Sequence, residues 1–207
     1  MSLARAVLKN NIGYVCYNSA GGADRDSGIK HIEQKATIER IWRGCRIPCT
    51  NLRATLFMEE LWKKYTRPSI LGGTFKFAMP PAKTQQYICC RDMGYAAAEC
   101  FMNPTKFVGM DIELAGDELT CPQMAEAFSE SQQANGLPAV TYSESGTFIF
   151  WLISAELYKL IIWYQEKGYQ ADVKQCRELS PDLCTFKTFL ERTKWNDKDK
   201  VYEQLAA

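Results

Sequence analysis

The segment that decides the fold is residues 12–53, IGYVCYNSAGGADRDSGIKHIEQKATIERIWRGCRIPCTNLR. It opens with a short, nearly all-apolar strand at Ile12–Tyr17, which is typical of a strand covered on both faces. A polar loop (Asn18–Gly28), a helix (Ile29–Gly44) and a second strand that ends at Arg53 follow it. A strand, a helix and a strand in this order predict a crossover within a parallel sheet.

Ligands of parallel sheets collect at the carboxyl ends of the strands, so the Asn18–Gly28 loop is the first place where we expect a site. The helix after this loop carries His31 and Lys35, which lie four residues apart and therefore share one face. That face is predicted to be the apolar one, beside Ile38 and Trp42. Either Lys35 packs its stem and extends its amine to the rim, or the pair has a binding role.

Residues 18–39 and 49–61 together resemble the central part of the NmrA-like family, whose members are atypical short-chain dehydrogenases/reductases. In that family a Ser follows the equivalent strand and a Lys lies in the next helix. A Leu-Arg-Pro-x-x-Phe-Met-Glu-Asn run then follows the next strand. Ser19, Lys35 and Leu52–Glu60 match this order, so the resemblance rests on several motifs in sequence.

Residues 114–128 and 167–195 resemble the carboxyl-terminal part of the same family, so the resemblance covers nearly the whole chain. It implies an α/β fold in which a partial Rossmann-like parallel sheet is flanked by helices, with a smaller, mostly helical carboxyl-terminal lobe. We expect residues 1–118 to form the partial NAD(P)-binding domain. Residues 119–195 would form the smaller substrate-type lobe, interleaved with the first domain, and residues 196–207 a tail.

The resemblance also implies NAD(P) as the cofactor. The residues that it assigns to cofactor binding are Asn18, Ser19, Lys35, Arg53, Ala54, Thr55 and Phe57. Two positions depart from the family pattern, because Ala54 replaces a Pro and Glu60 stands where an Asn is common. Ala54 frees a backbone torsion that Pro would fix, and Glu60 adds a negative charge near a ligand that carries phosphates.

The family fold begins with a strand, a Gly-rich turn and a helix that hold the pyrophosphate, and no G-x-G-x-x-G occurs in this sequence. We therefore expect the chain to lack that start and its NAD(P) binding to be weak or lost. The strand at Ile12–Tyr17 would then have an open edge with unpaired amides. A second copy of the chain, a protein partner or the helix predicted at Met1–Asn11 is expected to cover this edge.

The residue four positions before the family Lys is usually a Tyr, and here it is His31. A Tyr hydroxyl whose pKa a nearby Lys lowers can protonate a carbonyl during hydride transfer. Because imidazole titrates several pH units lower, that mechanism does not transfer directly, and His31 and Lys35 are only candidate catalytic residues. The resemblance thus favours an NAD(P)-sensing or regulatory protein. The alternatives are an NAD(P)H-dependent reductase of a small carbonyl or quinone, and a fragment or isoform that acts through protein partners without nucleotide.

Composition narrows the remaining classes of function. The net charge is +1 and the Lys and Arg residues are scattered, which argues against a groove for nucleic acid. Nine cysteines, with no Cys-x-x-Cys and one histidine, predict no metal site and indicate buried thiols in a reducing compartment. We expect a cytoplasmic protein, with the nucleus as the alternative. The apolar run Thr147–Tyr164 contains Glu156 and Lys159, each of which would cost about 2.5–3.5 kcal/mol near a bilayer centre, so no membrane span is predicted.

The rest of the chain is predicted to alternate strands and helices. The predicted strands are 74–77, 86–90, 109–115 and 139–142, and the predicted helices are 55–65, 93–102, 147–167, 171–179 and 185–194. Asp92 is predicted to be an N-cap, residues 116–119 a turn, and Thr120 with Gln123 a capping box. The charged segment Trp195–Ala207 is predicted to be loosely held.

Overall fold

The computed structural model describes residues 2–180 and 182–205 as a mixed α/β fold with three small sheets. The strands are β1 (Val15–Ala20), β2 (Cys49–Ala54), β3 (Leu56–Phe57), β4 (Thr74–Phe77), β5 (Thr84–Ile88), β6 (Asp111–Leu114), β7 (Asp117–Thr120) and β8 (Thr141–Glu144). The helices are α1 (Ser2–Lys9), α2 (Lys30–Gly44), α3 (Arg67–Leu71), α4 (Cys90–Met102), α5 (Pro104–Phe107), α6 (Cys121–Gln133), α7 (Phe148–Ile153), α8 (Ala155–Glu166), α9 (Val173–Leu179) and α10 (Phe186–Thr193). Two 3-10 helices lie at Met58–Trp62 and Tyr202–Gln204.

The first sheet has the order β1-β2-β6, and all of its strands are parallel. This arrangement confirms the predicted β1–α2–β2 crossover and the α/β fold class. β1 begins at Val15 and continues to Ala20, three residues later at each end than predicted. Ser19 therefore lies within the strand and pairs in register with Arg53 of β2. Among the described residues, β1 has a strand neighbour on one side only.

The second sheet corrects two predictions. Residues 55–65 do not form one helix, because Leu56 and Phe57 pair with β5 and only Met58–Trp62 becomes helical, as a 3-10 turn. Residues 117–120 form β7, antiparallel to β5, where a turn was predicted. The Glu118 carboxylate accepts hydrogen bonds from side chains of β5, and this pairing overrides the local turn preference of an acidic pair.

Two helix predictions also change. Helix α4 begins at Cys90 with Cys89 as its N-cap, so Asp92 lies buried in the first turn and is not the cap. The long predicted helix at 147–167 is divided at Ser154, whose extended backbone ends α7 and whose hydroxyl accepts from the Leu157 amide to begin α8. The capping box of Thr120 and Gln123 is confirmed at the start of α6.

One large core cluster joins the strands to the helices of the carboxyl-terminal half. It includes Ile32 of α2, Trp62, Phe128 of α6, Trp163 of α8 and Phe186 of α10. A smaller cluster holds α1 through Ala4 and Val7, which pack near Trp42 and Cys49. In residues 2–180 and 182–205, no helix has both the length and the apolar content needed to cross a bilayer.

Arg67 fastens the end of the chain to the core. Its guanidinium lies 3.9 Å from the ring centroid of Trp62 and 5.3 Å from that of Trp195, and burial lowers the pKa of Arg67. It donates to the carbonyls of Trp195, at 3.0 Å, and Asp197, at 2.6 Å. The segment that begins at Trp195 was predicted to be loosely held, but Trp195 itself is fully buried in the core. Its contacts with Arg67 hold it there.

Replacing Arg67 with Ala should destabilise the protein by about 3 kcal/mol, since several charge-assisted hydrogen bonds and two stacking contacts are lost together. Urea unfolding followed by tryptophan fluorescence measures this change. Arg91→Ala is the control, because Arg91 stacks on Tyr95 at the exposed surface and its loss should leave the free energy of unfolding nearly unchanged. Equal losses for the two variants would contradict the buried role of Arg67.

Candidate functional site

The carboxyl ends of β1 and β2 bring most of the residues assigned to cofactor binding together. Ser19 lies beside Arg53 in the parallel register, and Ala54 ends β2 at the same edge. Lys35 reaches this edge from α2, where its Nζ donates to the carbonyl of Asn18 at 2.7 Å. The family resemblance that assigned these residues to one site therefore agrees with their location, while their role in binding stays a prediction.

A buried ionic network occupies this edge. The Ser19 hydroxyl donates to Glu39 Oε1 at 2.5 Å, and Arg53 binds the same carboxylate through Nε at 3.1 Å and Nη2 at 2.7 Å. Arg53 also contacts Asp111, at 2.9 Å, and Asp24, at 3.0 Å. Ser19, Glu39 and Arg53 are all buried. Two polar side chains predicted to bind the cofactor, those of Ser19 and Arg53, thus already have partners within the chain.

The carboxylates of the network balance the positive charge of the Arg53 guanidinium. Burial on its own would lower the pKa of Arg53, but the hydrogen bonds to Glu39 and the nearby carboxylates outweigh it and raise the pKa overall. Asp111 is held in turn by Arg43 and by the Asn51 amide, which donates at 2.7 Å. A buried cation that already has three carboxylate partners has little charge left to attract a phosphate.

Lys35 lies at the outer edge of β1. The amides of Val15 and Gly21 donate towards the β2 side, and the alternation of a parallel strand turns the Asn18 carbonyl to the opposite edge. The Lys35 amine satisfies that carbonyl and lies 5.1 Å from the ring centroid of Tyr17. Burial lowers the pKa of Lys35. A lysine in this position hinders the addition of another strand.

His31 does not lie where the helical spacing predicted. Its side chain is exposed to solvent, whereas the buried side of α2 consists of Ile32, Ala36, Glu39 and Trp42. His31 belongs to the first turn of the helix, at the margin of this buried stripe. The predicted pairing of an imidazole with the amine on the apolar side is therefore wrong for His31.

The loop after β1 packs beneath the carboxyl-terminal half of the chain. A Cβ atom on Gly21 would lie 2.5 Å from the Tyr169 ring, and one on Gly22 would lie 2.6 Å from the Trp163 ring. Gly22 also has a φ of +85°, which disfavours other residues. Bidentate hydrogen bonds between Arg25 and Glu113 hold the same loop. Close packing against aromatic rings therefore explains glycines that could otherwise suggest a ligand.

The last two residues predicted to bind the cofactor, Thr55 and Phe57, lie beyond the carboxyl end of β2. The Thr55 hydroxyl donates to the Leu114 carbonyl at 2.9 Å, so it too has a structural partner. Phe57 lines an apolar cavity of about 700 Å³. The cavity walls come from β3, the adjoining 3-10 helix, α3, β4, β5, α7 and α8, and include Leu56, Leu61, Phe75, Tyr87, Ile153 and Leu160. Its size and apolar lining suit a small organic ligand.

Sequence reasoning missed the three acids of the network, Asp24, Glu39 and Asp111. One signal for Glu39 was available, since it falls on the apolar stripe of α2 at the spacing of Ile32 and Trp42. A buried acid at such a position requires a cationic partner. Nothing in the local sequence indicates that Asp24 and Asp111 meet Arg53, because the contact depends on the strand order.

Comparison with known proteins places this geometry in context. The model of the NmrA-like family matches residues 1–204. A search of curated protein sequences finds no significant match. Among solved structures, a Staphylococcus aureus nucleoside-diphosphate-sugar epimerase aligns with a TM-score of 0.76 and 16% identity, over 91% of this chain and 68% of that one.

Two further structures have the same fold. The NADPH-dependent quinone oxidoreductase of Escherichia coli, complexed with NADPH, aligns with a TM-score of 0.75 and 20% identity, over 91% of this chain and 68% of that one. NmrA, a negative transcriptional regulator in complex with NAD, aligns with a TM-score of 0.69 and 15% identity, over 95% of this chain and 67% of that one. At these identities the similarity establishes the fold alone.

Replacing Glu39 with Gln should destabilise the protein by about 2 kcal/mol, below the usual cost of breaking a buried ion pair, because Arg53 keeps Asp24 and Asp111. Urea unfolding measures this difference. Glu166→Gln removes the same charge from the exposed end of α8 and should change stability by less than about 0.5 kcal/mol. If Glu39→Gln were as stable as the wild type, the network would not be a structural element.

Proposed function

The chain belongs to the NmrA-like family, and on that premise we propose that it is an NAD(P)-linked regulatory protein that does not turn over substrate. One observation carries the proposal: Ser19 and Arg53, two of the polar side chains of the predicted cofactor edge, are bound by Glu39. Nine free cysteines agree with action in the reducing cytoplasm. The description of NmrA as a negative transcriptional regulator in complex with NAD supports the regulatory part.

The residues present fit a diphosphate poorly. Proteins hold diphosphates with unoccupied amides at helix N-termini and with cations that have no other partner. At the start of α2, the Lys30 amide donates to Glu156 and the Gly28 amide donates to Glu33. Carboxylates of the chain therefore already occupy these amides, as they occupy Arg53. We propose that free NAD(P) binds weakly to the described residues, with its nicotinamide end nearest β2.

The second candidate function is an NAD(P)H-dependent reductase of a small apolar carbonyl or quinone. The apolar cavity beside Phe57 favours it, because the cavity adjoins the strand end where the nicotinamide would lie. A quinone oxidoreductase with NADPH also stands among the structural neighbours. Hydride transfer needs a proton donor near the substrate, and the exposed position of His31 gives this candidate less support.

Isothermal titration of the purified protein with NADPH and NADH should give a dissociation constant weaker than about 100 μM, or about −5.5 kcal/mol. Asp24→Asn, which removes one carboxylate from Arg53, should tighten NADPH binding about threefold to tenfold. Asp26→Asn is the control, because Asp26 lies exposed in the same loop. Low-micromolar binding, or oxidation of NADPH with a small quinone, would favour the reductase instead.

The third possibility from the sequence, action through protein partners, concerns the outer edge of β1. We propose that a second copy of the chain pairs with this edge through the backbone groups of Cys16 and the amides of Asn18 and Ala20, which alternate away from β2. Helix α1 packs near Trp42 and Cys49, and among the described residues β1 has a strand neighbour on one side only. Lys35 opposes the pairing by occupying the Asn18 carbonyl.

Lys35→Met should increase dimer formation, because it keeps the apolar stem and removes the amine that occupies the edge. Light scattering coupled to gel filtration measures the change across a range of protein concentrations. Arg40→Met, on the exposed side of α2, is the matched control and should leave the association constant unchanged. Monomers in all three proteins, with fast hydrogen exchange at the edge amides, would rule out the pairing.

A further inference from the structure

Two buried cysteines that are distant in sequence meet between α4 and α10. Cys89 is the N-cap residue of α4, and Cys184 immediately precedes Thr185, the N-cap residue of α10. Their sulfur atoms and a carboxylate oxygen of Asp92 all lie within 4.8 Å of one another. Neither cysteine belongs to the edge of β1 and β2 or lines the apolar cavity.

The backbone fixes the position of Cys184. Its amide donates to Asp92 Oδ2 at 2.7 Å, which ties the residue to the first turn of α4. On the other side, a Cβ atom on Gly116 would lie 2.5 Å from the Cys184 carbonyl oxygen, so the glycine permits a very close approach. The proximity of the two thiols is therefore a consequence of main-chain packing as well as of side-chain rotamers.

The surroundings of the two thiols differ. Arg192, an exposed residue of α10, donates from Nη1 to Cys184 Sγ at 3.3 Å. A hydrogen bond from Cys89, assisted by Arg192, lowers the pKa of Cys184 despite burial. The same bond, together with burial and the Asp92 carboxylate, raises the pKa of Cys89. Cys184 is thus the more acidic of the two thiols and the better nucleophile.

We propose that Cys89 and Cys184 form a dithiol that a hydroperoxide converts reversibly to a disulfide. The Cys184 thiolate attacks a peroxide oxygen, the O–O bond breaks, and the sulfenic acid forms as hydroxide leaves and takes up a proton to become water. Cys89 sulfur then attacks the Cys184 sulfur, and the S–O bond breaks to release a second water. Two thiols are oxidised and one hydrogen peroxide is reduced to two waters, and a dithiol reductant reverses the change.

The same cluster is a poor metal site. A structural zinc ion takes four ligands, whereas this group offers two sulfur atoms and one carboxylate. One oxygen of that carboxylate already accepts the Cys184 amide, and a guanidinium lies against the Cys184 sulfur, where it would repel a dication. A positive charge beside one thiol and a second thiol nearby are what oxidation to a disulfide requires.

Closing the disulfide would join the start of α4 covalently to the segment that enters α10. The sulfur atoms, which lie within 4.8 Å of each other, must approach to about 2 Å. A bond that closes a long loop restricts the unfolded chain, so the oxidised protein should melt at a higher temperature than the reduced protein. Oxidation is therefore expected to stiffen the join between the second sheet and the carboxyl-terminal helices.

The folded, fully reduced protein is treated with hydrogen peroxide, alkylated, denatured and digested with trypsin without reductant. We expect the number of free thiols to fall by two from nine, and residues 84–91 to be linked to residues 178–187. Dithiothreitol should restore both thiols. Because residues 84–91 also contain Cys90, the Cys90→Ser variant identifies the partner and should still form the bond; Cys90 is exposed and its thiol has a pKa of about 12.

Arg192→Gln should slow the loss of thiols and move its pH profile to higher pH, since the thiolate of Cys184 loses its cation. Lys187→Gln removes the same charge from the exposed side of α10 and should react as the wild type does. Persistence of reduced Cys89 and Cys184 while other thiols oxidise would overturn the proposal. The proposal would also be overturned if one equivalent of zinc protected both thiols from oxidation and a chelator removed that protection.

Discussion

The pairing of Glu39 with Arg53 is the constraint on which the cofactor edge depends. A buried carboxylate on α2 and a buried guanidinium on β2 are each costly alone, so the helix and the strand must keep a single relative position. In that position Ser19 of β1 and Asp111 of β6 lie within hydrogen-bonding distance of the pair. The pair therefore links all three strands of the first sheet. The chain thereby uses Ser19 and Arg53, two of the residues predicted to bind the cofactor, in its own architecture.

Much of the fold follows from local patterns, and the failures have identifiable causes. The crossover of β1, α2 and β2 and the capping box at Thr120 were predicted from apolar periodicity and capping chemistry. Residues 55–65 and 117–120 were assigned wrongly because pairing with β5 decides their conformation. That pairing joins segments far apart in the sequence, and no local propensity reports it.

The sequence predicted which residues of the candidate site lie close together, but it did not predict the ion pairs that they form. Matching a family motif located Ser19, Lys35 and Arg53 at one edge, but it could not show that carboxylates from a loop and a neighbouring strand neutralise Arg53. The apolar cavity was missed because its walls come from seven separate elements. An NmrA-like chain can therefore keep the fold of its family while its own carboxylates bind the arginine at the strand ends.

The aromatic rings above Gly21 and Gly22 connect the first loop of the chain to its last third. Any side chain at Gly21 would overlap Tyr169, and any side chain at Gly22 would overlap Trp163. A larger residue at either glycine position therefore requires a smaller residue in place of the ring that it faces. Positions 21 and 169, and likewise 22 and 163, should therefore covary among homologues, each pair changing together or not at all. Such coupled substitutions would reveal the packing of this loop against the two rings in an alignment of homologues, and they would do so without any ligand.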